Sequence, residues 1–220
     1  MVHTTSASDI KEILDNNVMV RNGNGKFYRS VQQPFEFKAA TAADEIREIL
    51  RLRFLSYRDN GYINPEFFPE GLEHDKYDKN SVMFSARNLE TGTLHGCVRL
   101  VLDSETRLPL EELVSIGDFR SEDKSIVEMS RLISYPTGQP LVNRGLIRLS
   151  HRYALENGIT HMVGFGKWEI KGYYDHIGFF PMEPLRIREY GEKGNGHMPR
   201  GLFYVSVLDV RNFRYQDKQD

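Results

Sequence analysis

The sequence contains a single cysteine, Cys97, among its 220 residues. A disulfide within the chain is therefore impossible, and a cysteine-rich metal site is excluded. The seven histidines are scattered, and none belongs to a His-Glu-x-x-His pair, so we predict no metal site and no tightly bound cofactor. Because no histidine and acid are placed to activate its thiol, we expect Cys97 to be a small buried residue rather than a nucleophile.

An excess of one charge and long apolar runs are also missing. The 29 basic and 31 acidic residues give a net charge of −2, which provides no general attraction to nucleic acid or to an anionic membrane. No window approaches the roughly 18 apolar residues of a membrane-spanning helix. Residues 1–17 lack the apolar segment of a signal peptide. We therefore expect a cytoplasmic protein without a membrane span.

The length and the composition indicate one domain. A chain of 220 residues with 40% hydrophobic and 27% charged residues is ordinary for one folded unit with one sizeable core. We predict a single domain over residues 1–220. Residues 1–33 are polar and form a candidate N-terminal arm.

Apolar periodicity predicts a mixed α/β fold. Strands are predicted at 34–41, 82–87, 96–102, 125–134, 159–165 and 201–210, with a short one in FFPM, and helices at 42–58, 141–158 and 168–178. The turn sequence NLETGT joins the second and third strands in a hairpin. The strand at 125–134 is apolar on both faces and is expected to be central.

Three like charges lie unusually close together in the stretch GLEHDKYD. These carboxylates are Glu73, Asp75 and Asp78. They repel one another unless cations lie among them, and three arginines on other elements are available: Arg53, Arg99 and Arg131. We predict a network of arginine–carboxylate pairs, with one carboxylate left to hold the ammonium of an amino-acid substrate. The alternative is a solvated acidic loop. The glycine and the spacing of a calcium-binding loop are absent.

Four motifs occur in a fixed order, RFLSY (53–57), GLEHDKYD (71–78), GCVRL (96–100) and EMSR (128–131). Together they resemble the signature of acyl-homoserine-lactone synthases. In this chain Arg53 and Tyr57 would supply the part of that signature that lies on the first helix. The element order over about 34–210, with YYDHIGFFPM (173–182), resembles the GCN5-related N-acyltransferase fold. The resemblance implies a mixed sheet flanked by helices, an αβα sandwich, and an acyltransferase activity.

The sequence departs from the lactone synthases in two places. Those proteins carry a tryptophan shortly after the first helix, where this chain has DNGYINPEFF, and its one tryptophan is Trp168. After GCVRL stands LPLEELVSI instead of a phenylalanine-bearing segment. In these two places the sequence more closely resembles the FeeM-like N-acyl amino acid synthases, which acylate a free amino acid such as tyrosine. The resemblance implies that the enzyme transfers a long-chain fatty acyl group to the α-amine of an amino acid.

Two other functions stay open. The first is an acyl-homoserine-lactone synthase that uses S-adenosylmethionine. The second is a non-catalytic module that binds acyl groups or a carrier protein.

The central strand carries the candidate catalytic residues. Glu128 lies among apolar residues, where burial would raise the pKa of its carboxyl toward the range of a general base. Its alternative role is to pair with Arg131. Ser130 is a candidate for protonating the departing thiolate, and its alternative role is that of an ordinary strand serine. The fold resemblance implies that a backbone N–H of this strand stabilises the oxyanion.

The segment TGQPLVNRGLIR (137–148) bears on the acyl donor. Coenzyme A users of this fold have a compact glycine-rich loop that binds pyrophosphate at a helix N-terminus, and the compact pattern is absent here. We therefore predict acyl carrier protein, through its phosphopantetheine arm, as the donor. The residues predicted to bind it are Arg144, Gly145, Arg148 and Arg152, of which the arginines are spaced by four on one helix face. An ordinary solvated basic face is the alternative.

Overall fold

Nine strands and three helices make up the described part of the chain, which is residues 29–32, 34–136, 139–190 and 201–214 of a computed structural model. The strands are β1 (Arg29–Gln32), β2 (Phe35–Ala39), β3 (Ser81–Asn88), β4 (Leu94–Leu102), β5 (Ile126–Ser134), β6 (His161–Lys167), β7 (Phe180–Pro181), β8 (Ile187–Tyr190) and β9 (Gly201–Asp209). The helices are α1 (Ala43–Asp59), α2 (Pro140–Glu156) and α3 (Lys171–Ile177).

All strands belong to one mixed sheet, whose order is β1-β2-β3-β4-β5-β6-β9-β7, with β8 also paired to β9. The β5–β6 pair is parallel and the other pairs are antiparallel. The β5–β6 ladder contains three residue pairs and ends where Glu128 lies beside Val163. Beyond this pair β5 continues along β4 and β6 continues along β9. The two central strands therefore separate and leave a gap in the middle of the sheet.

Helix α1 covers one face of the sheet. Its side chains Ile46, Ile49 and Leu50 are buried and pack with Met83, Cys97 and other residues of the central strands. Burial of an apolar stripe against the sheet is the main source of helix stability in a folded protein. This burial explains the helical spacing of the apolar residues in the sequence. The loop after α1 and the segment between β4 and β5 cover the rest of this face.

Helices α2 and α3 cover the opposite face. The apolar periodicity that predicted a helix at 141–158 has a structural cause, because Val142, Leu146, Leu149 and Tyr153 are all buried in the largest apolar cluster. A Cβ atom at Gly145 would overlap the ring of Phe37 on β2. Glycine at this position therefore lets the helix approach the sheet closely. The predicted sandwich of helices on both faces of a mixed sheet is confirmed.

Two strands were missed from the sequence. Strand β1 pairs with β2 and strand β8 pairs with β9. Residues 29–32 of the predicted arm are thus an edge strand of the sheet, and the rest of that arm, residues 1–28 and 33, lies outside the described residues. Both missed strands have four residues, too few to show a clear period in the sequence.

Candidate active site

Six buried or half-buried side chains form a closed ring of alternating charge, in the order Arg53, Glu73, Arg131, Asp75, Arg99 and Asp78. Arg53 donates to Asp78 over 2.7 Å and to Glu73. Arg99 donates to Asp75 and to Asp78, each over 2.6 Å. Arg131 donates to Glu73 over 3.0 Å and to Asp75 over 3.1 Å. Each carboxylate thus bridges two arginines, so the predicted network is present, but the expectation that one carboxylate would be left over is wrong.

The ring joins four parts of the fold: α1, the loop before β3, β4 and β5. Local hydrogen bonds shape that loop, since Asp78 Oδ2 accepts from the Asp75 N–H over 2.8 Å and Asp75 Oδ1 accepts from the Tyr77 N–H over 2.9 Å. Burial disfavours the ionised form of Glu73, but the attraction of Arg131 and Arg53 outweighs it and lowers the pKa of Glu73 to about 2. Glu73 is therefore ionised at neutral pH.

Asp75 and Arg131 are the exposed edge of this ring. Their side chains are 26% and 23% exposed, whereas those of the other four members are at most 4% exposed. Arg131 has a left-handed backbone, with φ of 54°, and the β4–β5 register shifts between Cys97 and Arg99. A bulge of this kind redirects side chains at the edge of a site. Asp75 and Arg131 are therefore the ring members that solvent reaches.

Glu128 lies at the point where β5 and β6 separate. Its side chain is buried, and its Oε2 accepts a hydrogen bond of 2.8 Å from the N–H of Leu110. Among the described residues it makes no ion pair, since Arg131 pairs with Glu73 and Asp75 instead. The alternative of a Glu128–Arg131 pair is therefore wrong. Burial raises the pKa of Glu128 to about 7, although the Leu110 hydrogen bond and Arg99 oppose the rise.

Ser130 contacts the charged ring through Arg99. Its Oγ accepts a hydrogen bond of 3.0 Å from Arg99 Nε, so the hydroxyl helps to orient that guanidinium. This is the role of a satisfied strand serine. The hydroxyl proton itself remains available for donation.

The gap between β5 and β6 is lined by half-buried residues, although both strands are central. On β5 these are Ser130, Arg131 and Leu132, and on β6 they are Phe165, Gly166 and Lys167. The ring of Tyr174, from α3, lies 3.3 Å from where a Cβ atom of Gly166 would be. Burial raises the pKa of Tyr174 to about 12, and Tyr57 adds to the rise. Tyr174 therefore packs over Gly166 from α3.

Cation–aromatic contacts cross the gap on the α1 side. Arg131 Cζ lies 5.4 Å from the centre of the Tyr57 ring, and the Tyr57 ring lies 5.7 Å from that of Tyr62. Lys167 Nζ lies 5.4 Å from the centre of the Tyr62 ring. The contacts connect β5 to β6 through α1 and the loop that follows it. Tyr57 was predicted here, whereas Tyr62 and Lys167 were not among the predicted site residues.

The predicted donor-binding residues lie on α2. The side chains of Arg144, Arg148 and Arg152 are half-buried rather than fully exposed. Gly145 lies inside the helix against Phe37, so packing accounts for a glycine at this position, and its role in donor binding stays a prediction. The arginines stay candidates for contacting the donor.

Two further observations delimit the site. Within the described ranges, no helix is long and apolar enough to span a bilayer, and no group of three or more His, Cys, Asp or Glu side chains is arranged to hold a metal ion. A cavity of about 470 Å³ lies at the other end of β6, lined by His161, Phe180, Arg214 and others. It is separate from the charged ring.

Comparisons with known proteins identify relatives. The model of the family described as N-acyl amino acid synthase FeeM matches residues 48–194, a span that contains the whole charged ring, Glu128 and Tyr174. A search of curated proteins gives no match. Among solved structures, FeeM, an N-acyl amino acid synthase from uncultured soil microbes, is 21% identical, with 84% of this chain and 94% of that chain covered and a TM-score of 0.63.

Two other solved structures have the same fold at lower identity. The acyl-homoserine-lactone synthase LasI is 16% identical, with 80% of this chain and 90% of that chain covered and a TM-score of 0.54. A putative N-acetyltransferase from Lactobacillus plantarum is 12% identical, with 81% and 99% covered and a TM-score of 0.54. The fold is therefore that of N-acyltransferases, as the sequence resemblance implied.

Proposed function

Because the chain belongs to the N-acyl amino acid synthase FeeM family, we propose that it moves a long-chain fatty acyl group from acyl carrier protein to the α-amine of an amino acid such as tyrosine. The product is an N-acyl amino acid. The family and the fold make the chain an N-acyltransferase. The donor and the acceptor are the parts that the proposal adds.

The position of Glu128 carries the proposal. An amino acid has a mostly protonated amine at neutral pH, and the amine must lose a proton before it attacks a thioester. A buried carboxylate whose pKa is about 7 is half ionised at that pH and is suited to accept this proton. Glu128 lies beside the gap where the two reactants would meet. Its unpaired carboxylate, fixed by the Leu110 N–H, is the general base of the proposal.

The reaction then proceeds with balanced charges and protons. Glu128 takes one proton from the ammonium, and the neutral amine attacks the thioester carbonyl to form the new C–N bond. The oxyanion accepts hydrogen bonds from backbone N–H groups of β5 that face the gap, where the ladder to β6 has ended. The C–S bond breaks, and the thiolate gains the second amine proton, relayed by a hydroxyl group.

Tyr174 is the hydroxyl that the geometry favours for this relay. Its half-buried ring packs over Gly166 of β6 beside the gap, and a pKa of about 12 keeps it protonated at neutral pH. Ser130, the residue proposed from the sequence, already accepts from Arg99. Its hydroxyl remains the second candidate.

The charged ring supplies the acceptor side of the site. Because its members hold one another in place, the ring fixes the wall of the gap without needing substrate to order it. Asp75 is a ring member with an exposed edge, and its oxygens can receive the acceptor's ammonium before Glu128 deprotonates it. Asp75 would take this role as a shared ligand, since its oxygens also accept from Arg99 and Arg131.

The donor proposal rests on the entrance to α2 and on apolar residues in the gap. The segment before α2 has no compact pyrophosphate loop, which favours a carrier protein, whose arm bears a single phosphate. Phe165 and Phe203 are stacked with their ring centres 5.4 Å apart on the Glu128 side of β6 and β9. They offer apolar surface to an acyl chain that enters between the strands.

A product analysis tests this function. The purified chain is incubated with palmitoyl–acyl carrier protein or palmitoyl-coenzyme A, a pool of the twenty amino acids and S-adenosylmethionine, and the products are identified by mass spectrometry. The expected product is an N-palmitoyl amino acid, formed faster from the carrier protein. An acyl lactone together with methylthioadenosine would identify a lactone synthase instead. Faster reaction from coenzyme A would overturn the donor assignment alone.

A further inference from the structure

We propose that Lys167 binds the α-carboxylate of the amino-acid acceptor and so selects amino acids over simple amines. The proposal rests on the proposed function and adds the residue that determines acceptor class. The arginines of the charged ring are not available to bind the acceptor's carboxylate, because each of them is already bound to two carboxylates.

The position of Lys167 follows from strand register. Glu128 lies directly beside Val163 in the parallel β5–β6 ladder, so the two side chains share a face. Side chains on a strand alternate between faces, which places Phe165 and Lys167 on the same face as Val163 and Glu128. The strands have separated by then, and Lys167 therefore borders the gap from β6 while Arg131 borders it from β5.

Lys167 has a positive charge that the described residues do not neutralise with a carboxylate. Its ammonium contacts the ring of Tyr62 at 5.4 Å, and it has no ion-pair partner in the part of the chain that the structure describes. The neighbouring Lys171 is paired with Asp175, and Arg131 is paired twice. A half-buried cation beside an apolar wall of Phe165 and Phe203 gains most from an anionic ligand.

The polarity of the gap matches an amino acid. Near β5 lie the carboxylates of Glu128, on that strand, and of Asp75, which is paired with Arg131 of the strand, and these carboxylates attract an ammonium group. Its β6 side presents Lys167, which attracts a carboxylate. The aromatic pair Tyr57–Tyr62 spans the interval between the two sides and holds the lysine in place. An amine without a carboxylate would leave Lys167 without an anionic partner.

The test compares acceptors that differ only in the carboxylate. The acyl transfer from palmitoyl–acyl carrier protein is measured with L-tyrosine against L-tyrosinamide and with L-leucine against L-leucinamide. Wild type is expected to prefer the free acids. Lys167→Met, which keeps the length and the apolar stem, is expected to lower kcat/KM for the acids by roughly ten- to a hundredfold, mainly through KM, which is the range for loss of a charged hydrogen bond.

The controls separate binding from folding. The same substitution should change kcat/KM for the amides by less than about threefold, and Lys167→Arg should restore most of the preference for the acids. Lys124→Met removes another lysine that lies over an aromatic ring, at 4.0 Å from Phe119, and should leave the acid-to-amide ratio unchanged. Thermal unfolding of each variant confirms that the fold is intact.

The outcomes distinguish the role of Lys167 from the proposed acyltransferase function. Normal formation of acyl amino acids with an unchanged acid-to-amide ratio in Lys167→Met overturns the role of Lys167 alone. Equal use of acids and amides by wild type does the same. A failure to acylate any of the twenty amino acids, with the donor thioester intact, overturns the proposed function and with it the role of Lys167.

Discussion

Arg53 and Asp78 are joined by a hydrogen bond of 2.7 Å between two side chains that are completely buried. Arg53 comes from α1, and Asp78 comes from the loop that leads into β3. A buried charge is tolerated only when its partners are complete. The pair therefore holds α1 and the loop in one arrangement. Asp78 also accepts from Arg99 of β4, so the sheet is held with them. Asp75 and Arg131, at the exposed edge of the ring, are kept in place by the same network.

Removal of Arg53 should destabilise the fold severely. Arg53→Met leaves Glu73 and Asp78 each short of one arginine, and we expect the free energy of unfolding to fall by about 3–5 kcal/mol. Urea denaturation followed by circular dichroism measures the change. Arg51→Met, at an exposed position of the same helix, is the matched control and should shift it by less than about 0.5 kcal/mol. Equal stability of the two variants would show that the ring contributes nothing to folding.

The buried carboxyl of Glu128 should make stability depend on pH. Its pKa is raised from an ordinary value of 4.5 to about 7 in the folded protein. Below pH 4.5 the group is neutral in both states, and its effect on stability is absent. As pH rises from 4.5 to 7 the unfolded chain ionises first, so stability is lost, and the loss is complete above pH 7.

The difference in pKa of Glu128 corresponds to about 3 kcal/mol. We therefore expect Glu128→Gln to be more stable than wild type above pH 7, by up to about that amount, and to approach wild type near pH 4. Urea unfolding at several pH values measures this difference. A constant difference across the range would mean that the carboxyl is not shifted in the folded state.

The proton relay to the thiolate separates Tyr174 from Ser130. Tyr174→Phe should lower kcat by about ten- to a hundredfold with little change in KM, because the variant keeps the ring and loses only the acid. Ser130→Ala should lower kcat by less than about threefold and cost about 1 kcal/mol of stability, since Arg99 Nε loses its acceptor. The opposite order of effects on kcat would assign the relay to Ser130.

The closeness of α2 to the sheet depends on Gly145. Gly145→Ala would insert a methyl group into the ring of Phe37, and we expect a loss of about 1–3 kcal/mol of stability in thermal or urea unfolding. Gly172→Ala is the control, because nothing lies within 4 Å of the Cβ it would add. The control should be neutral or slightly stabilising. A neutral Gly145→Ala would show that the helix can move away from β2 without cost.

Much of the site was accessible from the sequence because charge must be balanced. Three clustered carboxylates demand cations, and Arg53, Arg99 and Arg131 were the arginines in matching motifs. The closure of these pairs into a ring was not accessible, since it depends on the left-handed backbone of Arg131 and on the β4–β5 bulge. Neither feature leaves a pattern in the residue order.

The contact between Lys167 and Tyr62 was hidden for a different reason. These residues are 105 positions apart and meet only because β6 continues past the end of its ladder with β5. Tyr174 lay in the segment YYDHIGFFPM, which indicated the fold but not which tyrosine faces the gap. The face of a residue on a short helix is decided by packing, here by the space above Gly166, rather than by sequence alone.

The pH dependence of acyl transfer tests most directly whether Glu128 is the general base. The measured quantity is kcat for wild type and for Glu128→Gln between pH 5 and pH 9, with saturating palmitoyl–acyl carrier protein and amino acid. For wild type we expect kcat to rise with pH and to level off above about pH 7, as the Glu128 carboxyl ionises. For Glu128→Gln we expect kcat to fall by about 10²- to 10⁴-fold and the inflection near pH 7 to disappear. A Glu128→Gln variant that keeps the wild-type kcat and the same inflection would contradict the account.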